Sequence, residues 1–192
     1  MQRSFLVKFA TVCILSLGSF SISSVSFMLT KTANHNSKLE IITDISQYQE
    51  IRNHKWSNSE QVKHFPPQIP PETKTIAMAY SPGVRQSSSF FQIRLQKSPE
   101  QIQSLLNNYQ KIAKHEYQGG DTNDHIQQPL GVPTTFFHTS QSQTGTFPHT
   151  YKILVLKAQS QGKPGFKWNH GSSYGVAINS TNAEIIYWAE QW

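Results

Sequence analysis

The sequence predicts an α+β domain: an antiparallel sheet of about five or six strands carrying one long amphipathic helix on one face, behind an N-terminal hydrophobic segment. Three observations predict it. Apolar, β-rich runs recur at residues 74–80, 88–96, 134–139, 150–158, 174–178 and 184–190. A single well-specified helical pattern stands among them, so strands do not alternate with helices as a parallel sheet would require. Residues 9–30 carry no charge between Lys8 and Lys31. The competing architecture is a small β-sandwich with the helix as an insertion.

Taken in order, the uncharged segment FATVCILSLGSFSISSVSFMLT comes first. Its 22 residues would form a helix of roughly 33 Å, the thickness of a bilayer's hydrocarbon core at about 30 Å. Length therefore favours a retained transmembrane signal-anchor. The only small-residue cleavage sites are serine pairs such as Ser21 with Ser23 or Ser24 with Ser26, which would release a secreted or periplasmic domain instead. Cys13 follows Ala10, Thr11 and Val12 and lacks the small residue that a lipid-attachment cysteine has directly before it. Either way the domain is expected outside the cytoplasm. The layout is residues 1–31 as signal-anchor or signal peptide, 32–43 as a polar tether, and 44–192 as the exported domain.

Asp44 caps a short helical stretch carrying Ile45, Tyr48 and Ile51, and Ser57 with Glu60 has capping-box spacing for another turn. Four prolines within HFPPQIPPET, residues 64–73, remove backbone donors and force an extended course. KTIAMAY and SSFFQIRLQ, joined through SPG, read as a hairpin with Phe91, Ile93 and Leu95 facing the core. Ser98 then caps a helix over residues 99–115: Pro99 takes the first helical position, and Ile102, Leu105, Leu106, Tyr109, Ile112 and Ala113 form its apolar stripe. TTFFHT, TYKILVLKA, YGVAI and EIIYWAE complete the sheet, the last two as a hairpin around NSTN.

The net charge is +6, from 17 basic and 11 acidic residues. Setting aside Arg3, Lys8 and Lys31 leaves 14 against 11, or +3, which is too mild to imply a nucleic-acid partner. Cys13 is the only cysteine, so the exported domain is cysteine-free and has no internal disulfide, thiol nucleophile or thiolate metal site.

The order WSNSEQVKHFPPQIPP from Trp56, the strand pair after it and the closing EIIYWAEQW resemble an uncharacterised exported, membrane-anchored bacterial protein of unknown function. The resemblance implies the same address. It carries over no activity and no site residue.

Four motifs compete with plain structural readings. GSSYG, residues 171–175, fits the nucleophile-elbow pattern around Ser173, but a strand follows it and no histidine lies downstream to act as base. HEYQGGDTNDH gathers His115, Glu116, Asp121, Asp124 and His125, acceptable ligands for a divalent cation without the spacing of a known metal loop. A solvated loop after a helix end is the favoured reading of them. KPGFKWNH sets Lys163 and Lys167 beside Phe166 and Trp168, which suits an anionic glycan, a phospholipid head group or, less well for an exported domain, single-stranded nucleic acid, or else a turn folded back on the sheet. Asn179, Ser180 and Thr181 form a glycosylation sequon and a good turn alike.

The resulting expectation is a non-catalytic binding or structural module of the cell envelope, tethered to the membrane through residues 9–30 and contacting an envelope protein or polymer. No catalytic residue or cofactor is assigned, and a metal ligand set stays open. The alternative is a small metal-assisted hydrolase using the 115–125 loop.

Overall fold

In the computed structural model, which describes residues 41–83, 88–120, 124–141 and 145–192, the strands join one six-stranded antiparallel sheet. The strands are β1 (Lys74–Ser81), β2 (Ser89–Gln96), β3 (His115–Gln118), β4 (Lys152–Ser160), β5 (Gly171–Asn179) and β6 (Glu184–Gln191), in the order β1-β2-β6-β5-β4-β3. The expected α+β class holds, with one sheet rather than a sandwich. The hydrophobic segment at residues 9–30 lies outside the described residues. Among those described, no helix is long and apolar enough to cross a membrane.

Helical cover lies on one face of this sheet. Asp44 Oδ1 accepts from the Ser46 amide and starts the helical run of residues 45–55, which buries Tyr48 and Ile51. The next turn, Ser59–Val62, is capped by Asn58 rather than Ser57, because the Asn58 side chain accepts from the Glu60 amide at 3.1 Å. Pro99–Ile112 begins with the expected capping box, in which Ser98 and Gln101 satisfy each other's backbone amides. It ends at Ile112, short of residue 115. Ala113 is already extended, and Lys114 donates its amide to the Val155 carbonyl. Tyr48, Ile51, Phe65 and Ile102 pack on Phe91, Ile93, Leu95, Val176, Ile178 and Tyr187 beneath.

The opposite face is covered mainly by irregular chain, with a short helical turn at His125–Gln127. Residues 134–139, expected as a strand, are irregular, because the side chain of Gln92 takes the place of a ladder. Its Nε2 donates to the Phe136 carbonyl at 2.9 Å, and its Oε1 accepts from the amide and hydroxyl of Thr139, both at 2.9 Å. This cover buries Phe137 and Phe147 with Tyr151, Ile153, Ala177 and Ile186. With both faces covered, β6 reads as buried from Glu184 to Glu190. Ile42 extends the sheet edge by a two-way bridge to Tyr80.

Candidate functional site

A β-bulge sets up the most developed cleft. Val155 pairs with Gly175 but Lys157 pairs with Tyr174, so Leu156 is an extra residue and the side-chain alternation of β4 reverses there. Lys157 and Gln159 consequently turn to the face that carries Ser172 and Tyr174. Their strand ends meet the end of β6 and the start of β2, and the 58–61 turn overhangs them, enclosing about 370 Å³.

The lining is amide-rich: Asn58, Gln61, Gln159, Gln161 and Gln191 present side-chain carboxamides, and Tyr174 and Trp192 contribute aromatic surface. Part of this lining is fixed from behind. Gln61 Oε1 accepts from Trp56 Nε1 at 3.2 Å and from Gln191 Nε2 at 2.8 Å, while Ser57 Oγ donates to Gln191 Oε1 at 3.1 Å. Trp192 exchanges backbone hydrogen bonds with Gly171, and its indole donates to the Trp168 carbonyl at 2.7 Å. Amides present donors and acceptors side by side, which matches vicinal hydroxyl groups, and aromatic rings match the apolar faces of a sugar or peptide.

His64 stands behind Tyr174, their rings 5.3 Å apart and nearly parallel. Its Nε2 lies 2.9 Å from the Gly175 carbonyl, so that nitrogen carries the proton and donates. Burial holds its pKa down at about 4, against the ordinary 6.5. The imidazole is therefore neutral near pH 7 and serves packing.

The residues singled out in the sequence are dispersed. His115 and Glu116 belong to β3, where consecutive side chains point to opposite faces. Glu116 pairs with Lys152 at 3.6 Å, His115 stacks on Tyr117, and Tyr117 stacks at 4.2 Å on His125. His125 is buried and bonded through Nδ1 to Thr134 Oγ1 at 3.0 Å. Asp124 is exposed, and Asp121 lies outside the described residues. Among those described, no group of three or more His, Cys, Asp or Glu side chains is placed to hold a metal ion.

Ser173 lies inside β5 rather than on an elbow, and its side chain is fully buried. Glu190 is its cross-strand partner, and His138 Nε2 stands 3.8 Å from Glu190 Oε1 while its ring lies flat on Phe90. Serine, carboxylate and imidazole thus share a region, but the carboxylate, not the imidazole, is the serine's cross-strand neighbour. A nucleophile needs its base in reach and access for substrate, and this arrangement supplies neither. The sequon asparagine is 1 % exposed. Asn179 donates to Thr150 Oγ1 and accepts from the Asn182 amide, so it builds the turn and offers no glycan acceptor.

Sequence reasoning missed Gln61, Gln159, Gln191 and Lys157. Their signal is faint: Lys157, Gln159 and Gln191 are polar residues toward the ends of otherwise apolar strands, in KAQS and EQW, and Gln61 is one polar residue of the SEQV turn. No protein-family model, curated protein or solved structure matches the chain.

Proposed function

We propose that this chain is an exported, membrane-tethered domain of the cell envelope that holds a hydroxyl-rich polymer in the amide-lined cleft without converting it. The carrying observation is the cleft itself: carboxamides from the ends of β4 and β6, the start of the loop after β4 and the 58–61 turn, part of them fixed by the Trp56, Gln61, Gln191 and Ser57 chain of hydrogen bonds. A fixed lining binds with little ordering cost. The address rests on the uncharged length of residues 9–30.

The test is co-sedimentation of the full chain, in mild detergent, with insoluble cell-wall polymer and with soluble polysaccharides. Binding is expected, with loss of at least about tenfold in affinity in the Gln159→Ala/Gln161→Ala double variant. Both side chains belong to exposed residues, so its melting temperature should stay unchanged. Retention of wild-type affinity by the double variant, or hydrolysis of the polymer, would overturn the reading.

A further inference from the structure

Charge is distributed unevenly around the cleft. From His125 to Ala183 the chain contains Lys152, Lys157, Lys163 and Lys167 and not one acidic residue. Among the described residues Glu60 is the only acidic side chain in the cleft lining, and it is already paired with Lys63. Lys157 projects into the same lining and has no salt bridge among the described residues.

The loop between β4 and β5 continues this surface. Gln161 lines the cleft and closes the loop by donating its amide to the His170 carbonyl at 2.8 Å. Inside it, Phe166 donates to Lys163 and Asn169 to Phe166, and Gly165 supplies the left-handed residue with φ of 84°. These bonds make the tip a built turn. Phe166 is 71 % exposed at that tip, although an apolar ring at a turn gains by folding back. Lys167 lies 5.3 Å over the Trp168 ring, and Trp168 packs at 6.4 Å against Trp192, which lines the cleft. Lys157, which shares the field of Glu60 with Lys63, therefore sits in the amide-lined cleft, and Lys167 is linked to its edge through Trp168 and Trp192.

Building on the cleft reading above, we propose that the polymer is an acidic polysaccharide, whose carboxylates pair with Lys157, Lys163 and Lys167 while its hydroxyls meet the cleft amides and its ring faces stack on Phe166. The cation positions decide the class. A neutral polysaccharide would leave Lys163 and Lys167 without a counter-charge and Lys157 sharing the single Glu60 carboxylate with Lys63. A membrane surface would use the Phe166 tip but leave the recessed amides of Gln61 and Gln191 unengaged.

The experiment compares the full chain in detergent on three probes: polygalacturonate, dextran of matched length, and vesicles containing anionic phospholipid. Expected are binding to polygalacturonate at least about tenfold tighter than to dextran, weakening as salt rises, and loss of that preference in Lys163→Gln/Lys167→Gln and in Lys157→Gln. Melting temperatures of these surface variants serve as the folding control. Equal binding of dextran and polygalacturonate, unaffected by the lysine variants, would overturn the acidic assignment and leave the polymer-binding cleft standing. Binding to vesicles alone, lost with Phe166→Ala, would overturn it in favour of a lipid surface. Binding to none of the three would remove both this assignment and the reading it rests on.

Discussion

Arg94 clasps Glu184 across the β2–β6 pair: Nε stands 3.1 Å from Oε2, and Nη2 stands 3.0 and 2.8 Å from Oε1 and Oε2. The two side chains are 15 and 8 % exposed. Tyr151 donates its hydroxyl to the same carboxylate, and Phe137 lies under the guanidinium at 5.2 Å. Charges brought this far out of water are tolerated only as a pair. Arg94→Met should therefore cost about 3–5 kcal/mol, because Glu184 is left buried with Tyr151 alone. The double variant Arg94→Met/Glu184→Leu should recover much of that loss. Urea titrations of the four proteins measure it, and equal losses in the single and double variants would refute the coupling.

That pair was not legible in the sequence, since its members lie 90 positions apart. Local signals fared better. Ser98 and Pro99 marked the helix start, Asp44 marked the first helical run, and Phe91, Ile93 and Leu95 lay on the buried face as alternation predicted. Failures came where a tertiary contact overrode local pattern. TTFFHT has strand propensity, but the Gln92 side chain claims its backbone groups. HEYQ is polar enough to read as loop, yet it pairs with β4 because Tyr117 covers Val132 and His125. The cleft depends on a bulge at Leu156 and on strand order, neither of which composition encodes.

His64 makes folding sensitive to acid. Its folded pKa of about 4 lies below the ordinary 6.5, and burial is the main cause. The unfolded chain therefore takes up a proton first as pH falls. The stabilisation from a neutral His64 is complete above about pH 6.5 and is lost between there and pH 4, to a total of about 3 kcal/mol. Urea unfolding of the wild type and of His64→Gln at pH 7, 5.5 and 4 should show the wild type losing more over this interval. Parallel losses in the two proteins would exclude His64 as the source.

β6 pairs with β2 on one side and β5 on the other along its whole length. It is the seam between β1-β2 and β5-β4-β3, and it carries Ile185, Ile186 and Trp188, all fully buried. Removing residues 184–192 should abolish the cooperative thermal transition, because neither half-sheet then has a partner for its inner edge. A sharp calorimetric peak from the truncated chain would contradict the topology.

The GSSYG motif offers a pair of substitutions with opposite outcomes. Ser173 Oγ is buried and has no hydrogen-bond partner among the described residues, so the hydroxyl costs desolvation without a compensating bond. Ser173→Ala leaves the strand geometry intact and should be neutral or stabilising by up to about 1 kcal/mol. Gly175 is different. A Cβ there would stand 2.1 Å from the Leu154 carbonyl oxygen, a backbone atom held by the β4–β5 ladder. Gly175→Ala must push the strands apart and should cost at least about 1–3 kcal/mol. Both changes are read by urea denaturation, with labelling by a fluorophosphonate as a check on the serine. Strong labelling at Ser173, or destabilisation by Ser173→Ala comparable to that by Gly175→Ala, would mean that the hydroxyl is reachable or bonded. The motif would then be chemical after all; the predicted result makes it a consequence of two strands that approach too closely for any side chain but glycine's.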